Sequence, residues 1–217
     1  MIRTLYNELK KWQLSPTRKP LVLLGARQVG KTWLLEEFGR NEYSKVAFAS
    51  LDRNDAVADL LRTEKNVDRI LRGLSALLSV DITPGNTLII LDEIQDCPEA
   101  LERMKVFCED APEFHVAVAG SLLGISLHSG VSYPVGKVDE LTLYPMTFEE
   151  FIVAKGKEEM CNILKAHDWN LIASISDEYI DLLRQYYYVG GMPAAVKAYI
   201  EGMGLQAVRK KKKKIIF

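Results

Sequence analysis

Apolar and polar positions alternate along this chain on two scales. Five short apolar runs, Leu21–Leu24, Lys45–Leu51, Thr87–Leu91, Phe114–Ala119 and Val138–Leu143, are separated by longer amphipathic stretches. The runs are nearly continuous in apolar character, as expected of strands covered on both faces. Between them the spacing predicts helices over Thr32–Gly39, Val67–Ser79, Glu99–Cys108 and Thr147–Ala154, and the N-terminal residues 1–13 also read as an amphipathic helix. Pro84-Gly85-Asn86 marks a turn into the third strand. Strands alternating with helices imply parallel strands joined by crossovers, hence an α/β fold of three layers with helices on both faces of an open sheet. After about residue 155 the strand signal stops. Asp177–Tyr199 reads as helical, interrupted by Gly190-Gly191-Met192-Pro193, which predicts a small helical appendage. The expected organisation is a core over residues 1–155, a helical lid segment over 156–208, and a basic, disordered tail over 209–217.

Composition narrows the class without deciding it. The 217 residues are 48% hydrophobic and 26% charged, the balance of an ordinary globular chain. No apolar run is long enough to span a bilayer and the N-terminus has no leader pattern, so a cytoplasmic location and no membrane partner are expected. The net charge of −1 conceals an asymmetry: without Arg209 and Lys210–Lys214 the body carries 22 basic against 29 acidic side chains, a net of −7. An acidic body argues against a broad phosphate-backbone footprint on its own surface. The basic run reads as a solvated tail, with nucleic acid or a membrane surface as the other readings. Cys97, Cys108 and Cys161 are odd in number and far apart, which fits reduced thiols better than disulfides or a zinc site. No His cluster has metal-ligand spacing, so no structural metal is expected.

The chemistry concentrates where the first strand ends. Gly25-Ala26-Arg27-Gln28-Val29-Gly30-Lys31-Thr32 fits G-x-x-x-x-G-K-[ST], directly after an apolar strand and before a helix. That order is what a phosphate loop requires. Its backbone amides turn inward, glycines stand where side chains would collide, and the helix N-terminus adds unpaired amides and a favourable dipole. Lys31 is then expected at the β- and γ-phosphates of ATP, and the Thr32 hydroxyl on Mg²⁺. Trp33 completes the candidate nucleotide-binding set and is placed to report binding by fluorescence. Arg27 and Gln28 lie inside the loop, with phosphate, a partner or solvent all open to them. The bland alternative is a glycine turn with a lysine nearby.

A second element lies at Leu88-Ile89-Ile90-Leu91-Asp92-Glu93, where four apolar residues end in two carboxylates. The C-terminal tip of a strand is where open α/β sheets place ligands. Asp92 is the expected metal ligand, and Glu93 the base that polarises an attacking water. Helix capping is the alternative for the pair. In ATPases with a glutamate after that aspartate, an extra strand lies between the two motif strands, so Ser121 at the end of the fourth strand can sense the γ-phosphate. It can equally cap a following Leu122–His128 segment.

With these residues in hand, the sequence resembles AAA-type P-loop ATPases of a bacterial and archaeal family related to the STAND switch ATPases. The segments that carry the resemblance are 18–38, 88–107, 116–125, 133–151 and 188–196 (YVGGMPAAV). The resemblance implies a P-loop NTPase sheet of order 5-1-4-3-2 and the roles given above for Gly30, Lys31, Thr32, Asp92 and Glu93. It also implies that Met192 and Pro193 pack on adenine as part of a lid; a tight turn between two helices is the other reading. Many relatives have an arginine where Gly136-Lys137 stands, so an arginine role is not carried over to Lys137. The family's second domain, of unknown function, should begin soon after Pro193, where this chain instead runs into lysines. A truncated chain or a frameshift in an adenine-rich stretch is expected.

Three function classes compete. The leading one is a Mg²⁺-dependent ATPase acting as a nucleotide-driven switch. The second is an ATP- or ADP-holding scaffold that recruits a partner with little hydrolysis, because no arginine finger stands out among Arg62, Arg103 and Arg184. A phosphotransferase is third, since the sequence shows no second-substrate pocket. A homo-oligomer or a protein partner is open, as is nucleic acid through the missing C-terminal domain.

Overall fold

The apolar runs form five parallel strands: β1 (Leu21–Gly25), β2 (Lys45–Ser50), β3 (Thr87–Asp92), β4 (His115–Ser121) and β5 (Asp139–Thr142). In the computed structural model, which describes residues 3–121 and 133–203, they hydrogen-bond in the order β2-β3-β4-β1-β5. This is the order the family resemblance implies. The Leu122–His128 segment that Ser121 would cap, and the basic tail, lie outside the described residues. No helix among those described is long and apolar enough to cross a membrane.

The chain divides into two compact units. The larger one holds residues 5–26 and 30–143 and contains the whole sheet. Its central strands β1, β3 and β4 are buried on both faces, β3 along its full length, and the edge strands β2 and β5 are only partly buried. The helices of this unit are α1 (Leu5–Leu14), α2 (Lys31–Glu42), α3 (Asp55–Thr63), α4 (Val67–Leu78) and α5 (Glu99–Asp110). The largest core cluster joins Val22, Ile89, Leu91, Val116 and Val118 of the sheet to Val57, Ile70, Leu74, Met104 and Phe107 of the helices. Asn54 and Asn66 cap α3 and α4 by accepting from the amides of Val57 and Arg69. The periodicity reading passes over α3. It is only nine residues long and follows Asp52-Arg53-Asn54-Asp55, so its one start signal is the Asn54 cap.

Arg103, offered as an arginine finger, has another task. It is 5% exposed, and its guanidinium donates to the carbonyls of Leu61 and Arg62, 2.9 and 3.3 Å away. It closes the C-terminal end of α3, where carbonyls lack helical partners.

The smaller unit contains Arg3–Thr4, Arg27–Val29 and residues 144–203. Its helices are α6 (Phe148–Ala154), α7 (Glu158–Lys165), α8 (Trp169–Ser174), α9 (Ser176–Val189) and α10 (Pro193–Ile200). Thr147 and Glu150 form a reciprocal capping box at the start of α6. Met146, Phe151, Val189 and Val196 centre one apolar cluster, with Tyr186 and Met192 against it. The turn between α9 and α10 is held by a bond from the Met146 amide to the Gly191 carbonyl, 2.6 Å. A Cβ on Gly191 would lie 2.2 Å from the Met146 oxygen, so only glycine fits.

At the start of β4 in the sheet unit, His115 is buried with Nδ1 2.7 Å from the Tyr43 hydroxyl and its ring against the edge of Trp12. Burial first, and then the nearby Arg18 guanidinium, push its pKa down to about 4. Between the ordinary imidazole value of 6.5 and about 4, the unfolded chain takes up a proton that the folded chain refuses. The melting temperature should therefore fall as pH drops through that window. His115→Gln, which cannot titrate, should show a shallower fall in a thermal melt series; an unchanged slope would assign the acid sensitivity elsewhere.

Candidate functional site

Parallel strands put all their C-terminal ends on one edge of a sheet, and the side chains singled out in the sequence meet there. In register, Gly25 at the end of β1 faces Ser121 at the end of β4, and Asp92 at the end of β3 faces Ser50 of β2. β4 thus stands between the strand that enters the glycine loop and the strand that delivers Asp92. Within the sheet unit this gathers Gly25, Ala26, Gly30, Lys31, Thr32, Asp92, Glu93 and Ser121.

The loop has the backbone its glycines were expected to permit. Gly30 is left-handed, φ 96°, and enters α2 with no side-chain cap of its own. Gln28 also has positive φ, 64°, a conformation that costs a side-chain-bearing residue on the order of 1 kcal/mol. Arg27 and Gln28 are exposed and Val29 is buried. The Lys31 ammonium curls back to donate to the carbonyls of Gly25 and Ala26, both 2.9 Å away. Trp33, one turn into α2, is 42% exposed, open enough to respond to its surroundings.

Thr32 and Asp92, 60 residues apart, are joined directly: the hydroxyl donates to Asp92 Oδ2 at 2.5 Å. Asp92 is 4% exposed, and burial raises its carboxyl pKa although the Thr32 bond opposes the rise. A buried carboxylate beside a hydroxyl is a set of hard oxygen donors, the kind that suits Mg²⁺ kept partly hydrated. Glu93 follows in the left-handed region at φ 52°, ψ 48°, another strained position next to the candidate chemistry. An open cleft of about 550 Å³ begins at Thr32, Asp92 and Glu93 and is bounded opposite by Ser50, Asp52 and Arg53. The sequence suggested no such pocket, because its far wall comes from the β2–α3 connection and carries no motif.

Sequence reasoning also missed Gln95. Its Nε2 donates to Glu93 Oε2 at 2.5 Å, while its Oε1 accepts from the Ser121 amide at 3.3 Å. One side-chain amide therefore links the candidate base to the tip of β4. The signal available was proximity alone, two residues along a tight turn. Lys137 pairs with Glu109 at 2.9 Å. Met192 and Pro193 sit in the smaller unit as the N-cap and first residue of α10, with proline where a missing amide costs nothing.

A family model described as an AAA domain matches residues 17–152, more than half of the sequence. The chain belongs to the AAA family. Among solved structures, this AAA chain is similar to AMPPCP-bound DnaA from Aquifex aeolicus, with 17% identity, TM-score 0.53, and coverage of 98% of this chain and 64% of that one. It is also similar to replication initiator DnaA bound to AMPPCP and single-stranded DNA: 18% identity, TM-score 0.54, coverage 98% and 65%. A STAND protein with a tetratricopeptide repeat sensor from Pyrococcus horikoshii matches at 16% identity and TM-score 0.46, over 93% of this chain and 30% of its own. The two DnaA likenesses identify the P-loop NTPase fold. The AAA chain spans between 30% and 65% of the length of these three proteins. No curated protein sequence matches it.

The burial of Asp92 makes a stability prediction. A carboxyl whose pKa is raised on folding costs stability at neutral pH, where both states are ionised, and the cost disappears as pH falls below the unfolded value. Asp92→Asn keeps an oxygen for Thr32 and removes the buried charge. At pH 7 and without added nucleotide or metal, this variant of the AAA chain should melt at the same temperature as the parent or higher. A clearly lower melting temperature would mean that the charged hydrogen bond outweighs the burial cost.

Proposed function

We propose that this AAA chain binds ATP with Mg²⁺ in the Gly25–Thr32 loop and hydrolyses it, acting as a nucleotide-driven conformational switch. The observation that carries the reading is the Thr32–Asp92 hydrogen bond, with Lys31 beside one partner and Glu93 beside the other. It joins the two halves of an ATPase constellation that the sequence keeps apart. The DnaA structures of like fold are AMPPCP-bound, which supports a nucleoside triphosphate as the ligand.

In this reading, Lys31 exchanges its two loop carbonyls for oxygens of the β- and γ-phosphates, trading neutral acceptors for charged ones. Thr32 and Asp92 would hold Mg²⁺, which neutralises charge on the phosphate oxygens when bound. Glu93 accepts a proton from a water in the adjoining cleft as that water attacks the γ-phosphorus. The bond from phosphorus to the β,γ-bridging oxygen breaks, leaving ADP and inorganic phosphate. Ser121 senses the γ-phosphate, and Gln95 carries the position of the β4 tip to Glu93. Arg27, Gln28 and Val29 complete the phosphate loop. Met192 and Pro193 close on adenine as the lid. The chain works in the cytoplasm, with a second copy or a protein partner completing the assembly.

ATP binding and turnover should be measured for the parent, Lys31→Ala and Glu93→Gln, with oligomeric state recorded in each case. Lys31→Ala should lose ATP binding. Glu93→Gln should bind ATP and turn it over at least about 100-fold more slowly. Parental turnover by Glu93→Gln would remove the base assignment. ATP binding without turnover in the parent would favour the scaffold.

A further inference from the structure

Arg3 is a buried, multiply hydrogen-bonded side chain of the smaller unit, and nothing in the proposed reaction uses it. Its guanidinium is 5% exposed and makes three bonds to parts of the chain far apart in sequence. Nη1 donates to the Val29 carbonyl at 2.8 Å, Nη2 to the Tyr144 carbonyl at 2.5 Å, and Nε to Glu150 Oε2 at 3.1 Å. Glu150 is itself 4% exposed. Its other oxygen accepts from the Thr4 amide and hydroxyl at 2.7 and 3.0 Å, and Oε2 also accepts from the Thr147 amide at 3.1 Å. The charge pair is thus fully hydrogen-bonded, the condition under which a buried pair is tolerated.

The Val29 carbonyl belongs to the same peptide unit as the Gly30 amide. A peptide is planar and trans, so its carbonyl and its N–H point in opposite directions. Gly30 is flexible enough for that peptide to rotate, since glycine accepts either sign of φ. By holding the carbonyl, Arg3 determines which way the Gly30 N–H points. The amide at this place in a phosphate loop must face the anion. The bond to Arg3 also draws electron density toward the carbonyl and makes the N–H on its far side a stronger donor.

We propose that Arg3 is a positioning residue for the phosphate loop: it locks the Val29–Gly30 peptide in the anion-binding orientation and ties that orientation to the start of α6. The tie runs from Val29 through Arg3 to Glu150 and Thr147, and the neighbouring Met146 holds Gly191 at the α9–α10 turn. A loop that reorients on nucleotide exchange therefore pulls on residues 144–151 and on that turn. This rests on the reading that the loop binds ATP.

Hydrogen exchange of the full chain with and without Mg²⁺ and ATP tests the coupling, with residues 25–32 as the internal control. ATP should slow exchange in 25–32 and change it in 144–151 as well. Arg3→Lys keeps the charge for Glu150 but loses the planar fork that reaches two carbonyls at once. It should weaken ATP binding at least about tenfold, the worth of one charged hydrogen bond. Its nucleotide-free melting temperature should fall, since buried carbonyls lose a donor, while the chain stays folded, and ATP should no longer alter 144–151. Protection of 25–32 with 144–151 unchanged in the parent would overturn the proposal even if Arg3→Lys failed to fold. Parental ATP affinity in a folded Arg3→Lys would also overturn it. No response in 25–32 would instead sink the nucleotide-binding reading and the proposal with it.

Discussion

The position of β4 between β1 and β3 is the constraint on which the rest of the site depends. Parallel strands cannot be joined by tight turns, so each must return through a crossover, and all five C-terminal ends fall on one edge. Inserting β4 sets Asp92 one full strand away from the glycine loop. That spacing leaves room for the Thr32 side chain to reach Asp92 from the first turn of α2, and it brings Ser121 level with Gly25. The burial of β3 on both faces makes this arrangement stiff, since slipping one residue would expose an unbroken apolar strand.

The chain carries local costs at this edge. Asp92 is a buried carboxylate that accepts from the Thr32 hydroxyl and the Glu93 amide. Gln28 and Glu93 are two of the four described residues other than glycine that have positive φ. The cores behind them hold hydrocarbon side chains that satisfy ordinary packing rules. A buried carboxylate and backbone in the left-handed region are features of candidate sites, and here they fall on the glycine loop and the tip of β3. Arg103 and Glu150 show the opposite case. Both are buried ionic side chains, but each is hydrogen-bonded to other parts of the chain, and they stabilise structure or position other groups.

Much of the site was legible because its signals are local. The spacing of Gly25, Gly30, Lys31 and Thr32 encodes a loop whose backbone conformation follows from the residues themselves, and the apolar run ending in Asp92-Glu93 encodes a buried strand with carboxylates at its tip. The α9–α10 turn was visible in Gly190–Pro193 for the same reason. Gln95 escaped because glutamine after a strand has many ordinary uses, and only the curl of the chain at Glu93 brings its amide back to the carboxylate.

By itself, the sequence determined the alternation of strands and helices, the phosphate loop and the identity of the carboxylates, since each depends on residues within a few positions of one another. Only the tertiary structure decided that Arg103 closes the end of α3, that a cleft opens beyond Glu93, and that Arg3 bonds to the Val29 carbonyl. The bond from Arg3 to Glu150 spans 147 positions. No periodicity or propensity carries information over that distance. Such a contact exists because the folded chain has already brought both residues together and excluded water, which leaves each buried charge in need of the other.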